Sequence, residues 1–262
     1  MARLNQFRQV LAAQGFAAAL ITEPRDITWL SGFRGSSAAL LVTEQLSLII
    51  TDFRYRTQVV AESPGWEPKL QATGERLPAA IARIVGELGL ARVAFQAAHV
   101  THALWTKLGE SLGAQVAWQP MADLVGPLRS VKDEGELARI RAAAALADEV
   151  MAHAHVVARP GLTEQQLRVE METFMRRAGS ERVAFDFIVA GGPNSAKCHA
   201  RPGDRELAAA DLLLLDLGCV VDGYHSDITR TFALASATDT QRRIYAVVHQ
   251  ALLAGMAAVK PN

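Results

Sequence analysis

Asp211–Leu234, DLLLLDLGCVVDGYHSDITRTFAL, is the stretch whose reading decides the fold. Leu212 to Leu217 is an apolar run of strand length holding one carboxylate, Asp216, and a carboxylate buried there is costly unless something compensates it. Asp222-Gly223 follows, a dipeptide that tolerates the positive φ needed at both central positions of a type I′ hairpin turn. The returning strand carries Asp227. With a two-residue turn, Gly218 faces Asp227, and Asp216 lies two residues from Gly218 on the same face by strand alternation. The two carboxylates are then diagonal neighbours, roughly 7 Å apart at the backbone and closer at the side chains. A longer loop of even residue count keeps them on that face. Two carboxylates so placed do not both stay ionised cheaply: one takes a proton with a raised pKa, or a cation sits between them. The spacing is equally compatible with a plainer reading, in which one Asp caps a loop or pairs with Arg230.

Upstream of the hairpin, an alanine-rich helix is expected from about Lys132 to Ala158, stopped by Arg159-Pro160-Gly161. Thr163-Glu164-Gln165-Gln166 is a capping box opening a second helix that ends near Gly179. Arg182 to Ala190 alternates as a strand, and Gly191-Gly192-Pro193-Asn194 turns. His153 and His155, two apart on their helix, point to different faces and form no ligand pair. Downstream, Thr240 to Val259 is an amphipathic helix closing on Val259-Lys260-Pro261, which echoes Ala158-Arg159-Pro160. The echo suggests an internal repeat of helices and strands whose second copy has barely begun, so the chain is expected to be a piece of a longer protein.

The first half alternates short strands (Ala17–Thr22, Ala38–Thr43, Leu46–Thr51, Arg92–Phe95, Gln115–Trp118) with helices (from the N-terminus, Asp52–Glu62, Leu77–Leu88, His99–Leu112), the pattern of an α/β layer domain. The opening helix places Leu4, Phe7, Val10 and Leu11 on one face and lacks the apolar core of a signal peptide. Ser31 to Ser37 is glycine-rich but has neither a Walker lysine nor dinucleotide spacing, which makes it a turn. Asp52 reads as an N-cap. His99 and His102, at i and i+3, lack a third ligand and read as solvent-facing. The punctuated stretch Trp118 to Pro127 puts the domain boundary near residue 130, giving domains 1–130 and 131–262. Lys plus Arg and Asp plus Glu both number 27, so no basic surplus recommends nucleic acid or anionic lipid, and no apolar run has membrane-spanning length. Cys198 and Cys219, the only cysteines, lack metal-ligand spacing; they read as structural thiols in a reducing, cytoplasmic compartment.

RSVKDEGELARI, GLTEQQL, FDFIVAGGPNSAKCHARPGDREL and DLGCVVDGYHSDITRT together resemble the Xaa-Pro aminopeptidase and prolidase family of pita-bread metallopeptidases. SGFRGSSAALLVT and TDFRYRTQ resemble the N-terminal domain that this family shares with creatinase. The resemblance implies a small α/β domain followed by the first pseudo-symmetric half of an α+β pita-bread catalytic domain, in a homodimer. It implies metal-ligand roles for Asp216 and Asp227, the latter bridging two divalent ions, with Mn²⁺ favoured by hard carboxylate ligands and Zn²⁺ or Co²⁺ as alternatives. His199 matches a histidine that contacts substrate and helps stabilise the reacting carbonyl, and Phe185 is placed at the pocket for the residue before proline, although a strand aromatic is ordinarily core. The implied reaction is attack by a metal-bridging hydroxide on the carbonyl before a proline nitrogen, in a dipeptide or longer peptide. The family also uses a histidine and two glutamates absent from these 262 residues, so the chain alone is expected to be inactive. His225 shares a face with Asp227 but matches a variable position. Two other readings remain: a metal-free creatinase-like hydrolase, and a non-catalytic interaction module on the same fold.

Overall fold

A computed structural model of the chain describes residues 2–112 and 115–261, which fall into two compact units, Met1–Val131 and Lys132–Asn262. In the first, β1 (Ala18–Ile21) is the hinge of a six-stranded sheet. It pairs antiparallel with β2 (Ala38–Thr43) and parallel with β5 (Arg92–Gln96). Antiparallel β3 (Ser47–Thr51) and parallel β4 (Glu67–Leu70) extend one side, and parallel β6 (Ala117–Met121) the other. All four β1 residues are buried because strand alternation sends Ala19 and Ile21 to one face and Ala18 and Leu20 to the other. On the first face, Leu4, Phe7 and Leu11 of α1 (Ala2–Ala13) join Ile27 and Leu30 of α2 (Pro24–Ser31). Val59 of α3 (Arg56–Glu62), beside β4, joins that first-face cluster, and the opposite face is covered by Ile81, Ile84 and Val85 of α4 (Leu77–Glu87) and Leu108 of α5 (His102–Leu112). The result is the expected α/β layer domain, with helices on both faces of the sheet.

Several boundaries differ from the sequence reading. Asp52 does act as an N-cap, accepting from Arg54 N–H, but it opens a single 3₁₀ turn, Phe53–Tyr55, before α3. His99 lies in the turn before α5, so His99 and His102 share no helix face. The punctuated stretch is structured: β6 runs through Gln119-Pro120, and α6 (Val125–Ser130) contains Gly126-Pro127. Pro120 is tolerated because β6 is an edge strand. The elements α2 and β4 were not anticipated; each is short and begins at or near a proline.

The second unit begins with α7 (Glu134–Val157), capped by a reciprocal Asp133/Glu136 box, and α8 (Glu164–Arg177), capped by Thr163 and Gln166. Against them lies an antiparallel sheet of β7 (Ile188–Gly191), β8 (Leu212–Leu217) and β11 (Ile228–Ala233), in the order β11-β8-β7. Leu213, Leu215 and Leu217 point to the helices and are buried with Val150, Ala154, Leu167, Met171, Phe187 and Val189. Each such leucine contributes about 1.5–3 kcal/mol of burial free energy. The intervening Leu212, Leu214 and Asp216 occupy the opposite, half-exposed face. The expected strand Arg182–Ala190 is shorter: Val183 makes one bridge to Cys219, the chain bulges, and pairing resumes only at Ile188 opposite Asp216. The final helix, α9 (Asp239–Ala258), is capped by Thr238 and Gln241 and has no buried residue among those described. No described helix is long and apolar enough to cross a membrane.

Candidate metal and substrate site

The hairpin register places the two carboxylates. β9 (Val220–Val221) and β10 (Tyr224–His225) pair as Val221↔Tyr224 and Val220↔His225 around Asp222-Gly223, whose φ values of 50° and 80° are those of a primed turn. The same register continues through the Ser226 N–H bond to the Cys219 carbonyl and into Leu217↔Ile228 and Asp216↔Thr229. Asp227 therefore stands opposite Gly218, diagonal to Asp216, as the two-residue turn predicts. Gly218 is glycine for steric reasons: an added Cβ would collide with the Ser226 carbonyl and lie 2.9 Å from the Phe185 ring.

Asp216 is half-buried rather than fully buried, since its face of the sheet is only partly covered. Burial is nevertheless the largest influence on its carboxyl and pushes its pKa above 3.8; the Asp227 charge and a direct interaction with the Asp227 carboxylate push the same way. A hydrogen bond from Thr229 Oγ1 to Asp216 Oδ1, at 2.9 Å, and the nearby His199 oppose the rise. Of the plainer alternatives, pairing with Arg230 is not what the structure shows: Arg230 lies opposite Leu215, on the other face, and its guanidinium donates to the Thr229 carbonyl.

His199 reaches this neighbourhood from the long connection between β7 and β8. Its side chain is exposed, while Ala200 beside it is buried with Ile188 and Ala190. Phe185 is half-exposed at Gly218, and the core aromatic of this segment is Phe187 instead. His225 is engaged elsewhere: Nε2 lies 3.2 Å from an Arg182 nitrogen, and burial together with the Arg182 charge lowers its pKa from 6.5. His153 stacks on Phe174 and meets Glu170 at 3.0 Å, whereas His155 contacts Phe232, so the two do occupy different faces. Cys219 is buried and its thiol is pushed up to about 11 by desolvation; Cys198, next to His199, is exposed and belongs to no core.

Asp216 and Asp227 suit a divalent cation in kind, as hard oxygen donors whose mutual repulsion a cation would relieve. They supply only part of an enclosing set: among the described residues, no three His, Cys, Asp or Glu side chains converge on one point. Thr229 was not anticipated as part of the site, although the register that pairs Asp216 with Asp227 also puts Thr229 directly across from Asp216.

Known proteins resemble the chain along nearly its whole length. Residues 3–131 match the creatinase/prolidase N-terminal domain, and residues 138–262 match metallopeptidase family M24. The uncharacterized peptidase YqhT of Bacillus subtilis is 31% identical over 260 residues, 99% of this chain and 73% of that protein. The Xaa-Pro dipeptidase of Pyrococcus furiosus is 34% identical over 140 residues, 53% of this chain and 40% of its own. Among solved structures, an Xaa-Pro dipeptidase from Bacillus anthracis superposes with a TM-score of 0.92 at 30% identity, covering 99% of this chain and 72% of its own. An X-Pro aminopeptidase from Thermotoga maritima gives 0.85 at 28% identity, over 93% and 70% of the two chains. With its paired hairpin aspartates and a relative of this identity along nearly its whole length, the chain belongs to metallopeptidase family M24, with a creatinase/prolidase-type domain preceding a pita-bread domain.

Proposed function

We propose that the protein is a metal-dependent exopeptidase that hydrolyses the bond between an N-terminal residue and proline. The observation that carries this reading is the diagonal placement of Asp216 and Asp227 on one sheet face, with His199 close enough to act on Asp216. Asp216 and Asp227 would hold the divalent ions, Mn²⁺ being favoured by their oxygen donors over Zn²⁺ or Co²⁺. When bound, the ions supply polarisation of the scissile carbonyl and activation of a water. Thr229 keeps one oxygen of Asp216 occupied and so fixes which way the carboxylate presents the other. His199, exposed on its loop, is suited to donate to the carbonyl oxygen as negative charge develops there. Phe185 offers a half-exposed aromatic wall for the residue before proline.

The two aspartates are too few to hold a pair of ions, so residues 1–262 by themselves are expected to bind metal weakly and turn over nothing. A homodimer in a reducing, cytoplasmic compartment accords with the similarity to prolidases and with a free exposed Cys198. The test is hydrolysis of an Xaa-Pro dipeptide and of a longer Xaa-Pro peptide by the natively expressed protein with Mn²⁺. Asp216→Asn and Asp227→Asn should each abolish tight metal uptake in calorimetric titration and lower turnover by at least about a hundredfold. Metal uptake unchanged by both substitutions would sink the assignment of the two aspartates as ligands, and an active protein with no bound metal would sink the proposal and favour the creatinase-like alternative.

A further inference from the structure

We infer that Glu164 is a positioning residue for this reaction: one buried carboxylate ties both ends of the loop that carries His199. The inference rests on the peptidase reading above for its catalytic consequence, but not for its structural content.

Glu164 is the first residue of α8 and is 1% exposed, an expensive place for a carboxylate unless it is fully hydrogen-bonded. Its oxygens face donors. Gly191 N–H donates to Oε1 at 2.9 Å, and Asn194 Nδ2 lies 3.0 Å from Oε1 and 3.2 Å from Oε2. Gly203 N–H donates to Oε2 at 3.3 Å. Gly191 and Asn194 precede His199, and Gly203 follows it, so the carboxylate closes the loop as a clasp. The main chain reinforces the clasp, since Glu164 N–H bonds the Arg205 carbonyl and Gln165 N–H the Gly203 carbonyl.

From the clasp the hold passes toward the histidine. Asn194 Oδ1 accepts from Lys197 Nζ at 2.7 Å, and Ala200 is packed against the sheet. Lys197, Cys198 and His199 are exposed between those two anchors. The chemistry explains why the residue is glutamate. Every group that meets the carboxylate is an N–H donor, and an ionised carboxylate only accepts. Glutamine has the same shape but would turn an NH₂ toward one of these donors, leaving it unpaired. Turning the Asn194 amide over to accommodate it would break the contact to Lys197.

The expected result in the natively expressed protein is that Glu164→Gln lowers kcat roughly tenfold to a hundredfold, the range set by an ångström-scale misplacement of a reacting group. Bound metal should stay at the wild-type level. The discriminating measurement is a double-mutant cycle with His199→Ala. If Glu164 acts through His199, Glu164→Gln costs nothing further once the imidazole is gone. A Glu164→Gln loss of the same factor in both backgrounds would overturn the inference, as would wild-type kcat in the single variant. Asn194→Ala, which leaves the buried carboxylate in place, should repeat the pattern at smaller amplitude and guards against misfolding of the first variant.

A second readout needs no activity. Amide hydrogen exchange at Gly191 and Gly203, and tryptic cleavage after Lys197, should each accelerate about tenfold or more in Glu164→Gln. A natively expressed protein that cleaves no Xaa-Pro substrate at all would refute the peptidase reading alone, whereas inactivity of residues 1–262 by themselves is the expected result. Unchanged exchange and unchanged cleavage would refute the clasp whatever the activity.

Discussion

Asp211 offers the most direct check on how the loop returns to the sheet. Its Oδ2 accepts from Arg205 Nη1 at 2.7 Å and from Ala208 N–H at 2.9 Å, while Oδ1 accepts from Arg205 Nη2 at 3.0 Å. Gly191 and Gly192 pack directly on this pair, so close that a Cβ on Gly191 would lie 2.8 Å from the guanidinium. Asp211→Asn keeps the shape but removes the charge and one of the two guanidinium bonds. A hydrogen bond to a charged partner is worth about 1.5–3 kcal/mol, and breaking a fully buried pair costs about 3–5 kcal/mol. Because the Arg205 side chain is 30% exposed, the lower part of that span applies, and the expected loss is about 2–3 kcal/mol at pH 7. For a cooperative unit of this size that is a fall in Tm of about 8–12 °C, measurable by calorimetry or urea titration. The pH dependence has a definite sign. Burial alone would raise the Asp211 carboxyl, but the bonds from Arg205 and Ala208 and the Arg205 charge outweigh it and hold the pKa below 3.8. A depressed carboxyl contributes stability above its unfolded pKa and loses it as pH falls through the folded value. The gap between wild type and Asp211→Asn should therefore be full at neutral pH and shrink progressively as pH falls below 3.8 through the depressed folded value. A gap under about 0.5 kcal/mol at pH 7, or one that widens as the pH is lowered into the acid range, would refute the reasoning.

Two further outcomes follow from buried hydrogen bonds. Gln96→Ala should destabilise the first unit by about 2–3 kcal/mol, because Gln96 Oε1 accepts from Thr22 and Glu23 N–H and its Nε2 donates to the buried Asp26 at 2.6 Å; urea midpoints within error of wild type would contradict it. Tyr224→Phe removes the hydroxyl that donates to Glu136 Oε1 at 2.8 Å and should cost about 1 kcal/mol, with faster amide exchange confined to the hairpin tip. Exchange that accelerates uniformly across the second unit would show that the bond anchors more than the hairpin.

Much of the second unit was legible in the chain because its signals are local. Capping boxes at Thr163 and Asp-Gly at residues 222 and 223 depend on backbone geometry a few residues either way, and no distant contact overrides them. Where the pattern was ambiguous, packing decided. The alternation from Arg182 to Ala190 reads as one strand, but only Ile188–Gly191 finds a continuous partner, and the bulge before it turns Phe185 to the half-exposed site while Phe187 enters the core. Pro120 and Gly126-Pro127 look like loop punctuation, yet an edge position and a first helical turn accommodate them.

The sequence by itself determined that Asp216 and Asp227 share a face, since a period of two keeps them together for any loop of even residue count, and the structure then fixed the two-residue turn. The tertiary structure alone decided that His199 comes near Asp216. Its loop is held by Glu164, which lies on a different element and far along the chain, and by the apolar seat of Ala200. Contacts of that range depend on how α8 packs against the sheet, and no residue spacing encodes such packing.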